Sequence, residues 1–141
     1  YCYVLHFAAD PAGELFWAET EPNDDNFSSE SLQTNDDGVL AVAGRIDPMG
    51  DVDHYLFQGS VGQQANVSLA ARTAGSALEA HLRVVSPGDV ELISLNVMAS
   101  EGTGFEDLDL PESGTYHIEV TSSDELAGGV DQWYVLEVEV N

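Results

Sequence analysis

From about residue 39 onward, apolar and polar positions alternate with a period of two, the mark of strands with one buried face. Val39–Ile46, His54–Gln58, Ala65–Ala71, Ala80–Ser86, Val90–Asn96, Gly104–Leu108, Thr115–Thr121 and Gln132–Val140 each read as a strand bounded by Gly, Pro, Asn or Asp clusters. Ser86-Pro87-Gly88-Asp89 supplies hairpin-turn chemistry between two of them, and Asn35-Asp36-Asp37-Gly38 launches the first. In the last strand Tyr134, Leu136, Val138 and Val140 share the inward face, with Glu137 and Glu139 opposite. No stretch sustains a helical period, so helix is minor. Short strands at this spacing predict an antiparallel β-sandwich.

The chain before residue 39 breaks this pattern. Residues 1–7 form a strand pattern that is apolar on both faces, with Tyr1, Tyr3, Leu5 and Phe7 on one and Cys2, Val4 and His6 on the other. A solvated edge strand carries charge or proline to prevent pairing, and this one has neither before Asp10 and Pro11. Turn chemistry at Asp10-Pro11-Ala12-Gly13 would let the strand swing away from its own domain. Residues 1–18 therefore read as an N-terminal extension. Within it, 1–7 is a candidate donor strand that adds to a neighbouring copy through Tyr1, Tyr3, Leu5 and Phe7; pairing within its own sandwich is the alternative. Leu15-Phe16-Trp17 is a short apolar patch, and the serine-rich run from Asn26 to Thr34 reads as a single helical turn anchored by Phe27 and Leu32.

Composition sharpens the picture. The 141 residues suit one domain with a single two-layer core. The formal net charge is −23, from 26 acids against three arginines (Arg45, Arg72, Arg83) and no lysine. Nothing here neutralises phosphates, so nucleic acid and anionic membrane surfaces are excluded as partners. The Debye length falls from about 10 Å at 0.1 M salt to about 3 Å at 1 M, so this self-repulsion largely vanishes only in high salt. An acidic, lysine-free surface thus points to a high-salt, halophilic setting. Disorder is excluded because 43% of the residues are hydrophobic and they alternate. No apolar run approaches the ~20 residues of a membrane span. A first residue of Tyr rather than Met fits an exported, processed protein, although a trimmed chain would begin the same way. The single Cys2 makes no internal disulfide; it suits an intermolecular bridge, a free thiol or a small buried hydrophobe. Asn26-Phe27-Ser28 and Asn66-Val67-Ser68 are glycosylation sequons, which matter if the chain is exported.

Catalytic chemistry finds no foothold. There is no Gly-x-Ser-x-Gly elbow and no His-Glu-x-x-His. His6, His54, His81 and His117 each lie inside a strand pattern, where a lone histidine is a packing or surface residue. The chain reads as a non-enzyme. Binding chemistry is richer at Glu19-Thr20-Glu21-Pro22-Asn23-Asp24-Asp25. Glu19 and Glu21, two apart on an extended segment, point the same way, and Asn23 and Asp24 turn over the same space. Hard cations such as Ca²⁺ take about six to eight oxygens of mixed carboxylate, amide and carbonyl type. An acidic solvated linker is the plain alternative. A second acidic turn, Asp47-Pro48-Met49-Gly50-Asp51-Val52-Asp53, shifts the balance toward a cation.

Glu19-x-Glu21-Pro22-Asn23-Asp24, then Gly44-Arg45-Ile46, then Gly50-Asp51-Val52-Asp53-His54-Tyr55-Leu56-Phe57 resemble the bacterial and archaeal pre-peptidase C-terminal domain. The likeness continues through Gly62–Leu69 and Ser113–Val120 to Trp133–Val138, covering about residues 19–140. It implies a jelly-roll-like β-sandwich over residues 19–141 whose acidic linker, 19–25, is held down by calcium, as in the related collagen-binding domains of collagenases. It also implies the ligands: Glu19, Glu21, Asn23 and Asp24 from the linker, with Asp51 and Asp53 from the second turn, Asp47 being an alternative to Asp51. Members of that family are usually appended to secreted proteases, and residues 1–18 have no counterpart in its pattern.

Two functions follow as expectations. One is a calcium-stabilised extracellular structural subunit that self-assembles into a filament or surface layer by N-terminal strand addition. The other is an accessory domain, separated from a secreted hydrolase, that binds an extracellular protein or polysaccharide substrate or aids secretion.

Overall fold

The computed structural model describes residues 7–9, 15–25, 27–34, 39–70, 78–96, 103–123, 128–129 and 132–141. The strands are β1 (Phe7–Ala9), β2 (Leu15–Trp17), β3 (Glu30–Ser31), β4 (Gln33–Thr34), β5 (Leu40–Arg45), β6 (Val52–Gly59), β7 (Gln64–Ala70), β8 (Ala80–Val85), β9 (Glu91–Asn96), β10 (Thr103–Asp109), β11 (Gly114–Ser122) and β12 (Trp133–Val140). Two five-stranded sheets, ordered β10-β7-β12-β5-β4 and β3-β6-β11-β8-β9, form the sandwich. The eight strands expected between residues 39 and 140 are all present, and no helix occurs among the described residues.

Alternation builds the core. From one sheet Tyr55, Phe57, Leu82, Val84, Tyr116, Ile118 and Val120 face inward; from the other Val42, Val67, Leu69, Tyr134, Leu136 and Val138 meet them. Phe57 and Tyr116 stack at 5.2 Å between ring centroids, and Tyr116 Oη donates to the Glu112 carbonyl at 2.6 Å. The Ser86–Asp89 turn joins β8 to β9 as its sequence demands: Asp89 N–H donates to the Ser86 carbonyl at 3.0 Å, and Asp89 takes the left-handed φ of 63° that Asp tolerates.

One expectation about the N-terminal third changes. Residues 27–34 form no helical turn: Asp25–Ser28 is a tight turn, and β3 then runs parallel to β6 with Glu30 opposite Tyr55. The reason is that Leu32 is buried under the sandwich while Phe27 is left in water, so the two do not share a helical face. Near the N-terminus, β1 pairs antiparallel with β2 of the same chain, Phe7 opposite Trp17. Ala18 then forms a parallel bridge to Ala43 in β5, and Glu19 N–H donates to the Ala43 carbonyl at 2.9 Å. This delivers the acidic linker to the end of β5.

Candidate metal centre

The acidic cluster is assembled from three segments. The linker after Ala18 meets the end of β5 at Glu19 and β6 at Asn23, whose carbonyl accepts from the His54 N–H at 2.9 Å, and it carries Glu19, Glu21, Asn23 and Asp24. The turn between β5 and β6 carries Asp51. Asp53 is the second residue of β6 and belongs to its inward face with Tyr55 and Phe57, so strand periodicity puts a carboxylate in the core. Asp53 and Asn23 are both fully buried at 0% exposure.

Two carboxylate triads result, each with its oxygens within 4.8 Å of one another: an inner one of Glu19, Glu21 and Asp53, and an outer one of Glu21, Asp24 and Asp51. Glu21 is common to both. Of the two candidates in the second turn, Asp51 joins a triad, while the Asp47 N–H donates to Asp51 Oδ2 at 3.0 Å. Neither triad contains a histidine. His54 Nδ1 lies 3.7 Å from Glu119 Oε1, and His81 Nε2 lies 3.1 Å from Ser94 Oγ.

Backbone and phenol groups fix the inner carboxylates. Arg45 N–H donates to Glu19 Oε1 at 2.6 Å, and Asn23 N–H donates to Glu21 Oε2 at 3.0 Å. Tyr55 Oη lies 2.9 Å from Glu19 Oε2 and 2.6 Å from Tyr134 Oη, which lies 2.5 Å from Asp53 Oδ2. This chain of two carboxyls and two phenols contains three hydrogen bonds, but two hydroxyls supply only two protons. A third proton must therefore sit on Asp53 or Glu19 when no metal is bound. The electrostatics agree. Burial, followed by the charge of Glu19, pushes the Asp53 carboxyl up to about 10, and burial also raises Glu19. Burial and then the charge of Asp51 push Glu21 up to about 7. Both phenols are raised well above their ordinary range by burial and stay protonated.

Asn23 is the most informative member. Turned one way, its amide nitrogen donates to Glu21 Oε2 and Asp53 Oδ1, both at 3.1 Å. That orientation satisfies the amide with no metal; a cation between the two carboxylates, or a proton on Asp53, would instead favour the carbonyl oxygen turned inward. The donor set of clustered carboxylates and one amide oxygen, with no nitrogen or sulfur, fits a hard cation such as Ca²⁺.

The remaining expected site residues lie elsewhere. Tyr1, Tyr3, Leu5, Cys2 and Asn26 are outside the described residues, and the main chain of Phe7 pairs with Trp17 as above. Asn66 is half-buried in β7, its Oδ1 accepting from the Asp107 N–H at 2.9 Å where β10 bulges. Tyr55, Tyr134 and the Arg45 N–H were not legible as site groups; the signal for Tyr55 was its place two residues after Asp53 on the same strand face.

No family model matches the sequence, and no curated protein matches it. Solved structures do. The PliG periplasmic inhibitor of g-type lysozyme from Aeromonas hydrophila aligns with a TM-score of 0.55 at 23% identity, over 80% of this chain and 96% of that one. The Salmonella Typhimurium PliG aligns at 0.52 and 19% identity, over 80% of this chain and 100% of that one. The pre-peptidase C-terminal domain of Bacillus anthracis collagenase aligns at 0.55 and 14% identity, over 86% of this chain and 100% of that one. At these identities the likeness establishes the fold: the chain is a β-sandwich similar to both groups.

Proposed function

We propose that this chain is a non-catalytic, calcium-stabilised accessory domain that works outside the cytoplasm, recognising an extracellular protein or polysaccharide on behalf of a secreted hydrolase. The carrying observation is the convergence of Glu19, Glu21, Asn23, Asp24, Asp51 and Asp53 from three segments around a fully buried amide. Glu19, Glu21, Asn23 and Asp53 hold the inner cation, with Asp24 and Asp51 completing the outer side. The ion neutralises carboxylates that would otherwise share protons, and it ties the linker to the sandwich. The similar fold of a collagenase domain supports the accessory role, and the similar fold of periplasmic inhibitors supports the compartment. The filament reading finds no support among the described residues: of its donor strand 1–7 only Phe7 is described, and its main chain pairs with Trp17 of the same chain.

Thermal unfolding in calcium, magnesium and chelator, all in high salt, tests the reading. At about one hundred times Kd, a bound ion adds about 2.7 kcal/mol. For a domain of this size that raises Tm by roughly 8 °C. Magnesium, which demands tighter octahedral geometry, should give a smaller shift. No shift with calcium, or an equal one with magnesium, contradicts the site.

A further inference from the structure

Strand patterns treat His54, His81 and His117 one at a time, but the register of β6 against β11 brings two of them together. Asp53, Tyr55 and Phe57 face the core, as do Tyr116, Ile118 and Val120, so His54, His117 and Glu119 all belong to the outer face. Glu119 stands directly opposite His54, and His117 is opposite Leu56, one diagonal step away. Directly opposed residues have Cβ atoms about 4.5–5.5 Å apart, and diagonal ones about 7–8 Å. Two imidazoles and a carboxylate therefore share one patch of the sheet.

Both rings carry an unsatisfied nitrogen. His54 is only 6% exposed, and its Nδ1 and the Nδ1 of His117 are buried without a hydrogen-bond partner. Buried polar atoms are nearly always paired, so two such nitrogens at adjoining positions point to a ligand. Glu119 Oε1 lies 3.7 Å from His54 Nδ1, too far for a hydrogen bond. The other carboxylate oxygen is held: Arg83 Nη1 donates to Glu119 Oε2 at 2.8 Å, and Arg83 Nε donates to Glu91 Oε2 at 2.7 Å. Outer partners of this kind fix the orientation of a metal ligand. Glu91 and Glu119 outweigh the single charge of Arg83, and Asp24 and Asp25 add negative field at the His54 ring.

We propose that His54, His117 and Glu119 form a site for a divalent transition metal of the zinc class on the outer face of the β6–β11 pair. Zinc takes imidazole nitrogen at about 2.0–2.1 Å and carboxylate oxygen at about 2.0–2.2 Å in a tetrahedron, and three protein ligands leave the fourth position to water. Nitrogen donors select such metals over Ca²⁺, which prefers an all-oxygen set. Among the described residues only the two carboxylate triads hold their ligand atoms within 4.8 Å of one another, so binding here draws the half-buried His117 ring toward Glu119 by side-chain rotation. The bound ion cross-links β6 to β11 beside the point where the linker meets β6 at Asn23. The site shares no residue with the acidic cluster and stands whether or not that cluster holds calcium.

The full chain, in high salt with excess calcium, is titrated with zinc chloride by isothermal titration calorimetry. One zinc should bind per chain, and raising calcium tenfold should leave the zinc Kd unchanged. His117→Ala and Glu119→Gln should each weaken zinc binding at least about tenfold, the low end of what losing even a supporting group costs. His81→Ala and Cys2→Ser should not weaken it. With Cu²⁺ in place of zinc, electron paramagnetic resonance of the wild type should show coupling to two imidazole nitrogens, and His117→Ala should reduce this to one. The wild-type spectrum decides the matter even where a variant fails to fold. No zinc uptake, competition by calcium, a copper spectrum without two nitrogens, or binding indifferent to both His117→Ala and Glu119→Gln overturns the proposal. Binding lost in Cys2→Ser places the metal on the thiol and overturns it as well.

Discussion

Gly44→Ala is the sharpest test of how the site is held. Gly44 lies opposite Tyr134 in the β5–β12 pair, and the phenol ring packs over the position where a side chain would begin. A Cβ there would lie 2.3 Å from Tyr134 Cζ, 2.3 Å from Tyr134 Oη and 2.7 Å from Tyr55 Oη. Non-bonded heavy atoms prefer about 3.5–4.0 Å, so something must move by about 1 Å. Tyr134 has nowhere to go: it is fully buried, edge-on to Tyr55 at 6.5 Å, and bonded to Asp53 and Tyr55 through its hydroxyl. Overpacking costs about 1–3 kcal/mol, and two displaced buried hydrogen bonds add about 1 kcal/mol each. A total of about 3–5 kcal/mol should lower Tm by roughly 10–15 °C. Differential scanning calorimetry in chelator isolates this from metal binding. Tyr134→Phe removes the hydroxyl that both suffers the clash and binds Asp53, so the double variant should be less destabilised than the sum of the singles. A Tm within about 2 °C of wild type for Gly44→Ala, or strictly additive effects, would refute the packing argument.

Two further outcomes follow from charge. In the metal-free folded protein burial pushes the Glu21 and Asp53 carboxyls up to about 7 and about 10, against ordinary values of 4.5 and 3.8. The folded state therefore holds protons that the unfolded state has lost, so metal-free stability should fall as pH rises from about 5 to 9, while calcium affinity rises; a metal-free Tm that is flat or rising over that range counts against the shared proton. Lowering salt well below molar should unfold or expand the domain, because −23 charges lose their screening; unchanged far-UV circular dichroism in dilute buffer would make the chain merely acidic.

The strands were legible because the sandwich buries one face of each, and Tyr116, Ile118 and Val120 or Tyr134, Leu136 and Val138 announce that face by alternation alone. The acidic cluster was legible for a different reason, since oxygen-bearing side chains two apart on an extended segment converge on one side. The same alternation that places Tyr55 and Phe57 inside places Asp53 with them, so its burial followed from register. What alternation could not supply is pairing between distant strands. That Gly44 would leave room for the Tyr134 ring depends on β12 lying beside β5 in one sheet, and that Tyr134 would reach Asp53 depends on that sheet facing the one that holds β6. The run from Asn26 to Thr34 reads as a helical turn because a serine-rich stretch with Phe27 and Leu32 fits either conformation; the pairing of Glu30 and Ser31 with β6 decides it, since an Asp25 carboxylate accepting from the Phe27 and Ser28 N–H groups suits a helix N-terminus equally well.

The proposed site holds one hard cation among Glu19, Glu21, Asn23 and Asp53. Crystals grown in calcium, with anomalous diffraction collected at long wavelength, test it directly. The account predicts an anomalous peak bounded by carboxylate oxygens of Glu19, Glu21 and Asp53 with the Asn23 Oδ1 turned toward it, at metal–oxygen distances of about 2.3–2.6 Å. Glu21→Gln should remove most of the peak's occupancy. A strong calcium peak elsewhere on the molecule, or none here and an Asn23 amide nitrogen donating to Glu21 and Asp53, would contradict it.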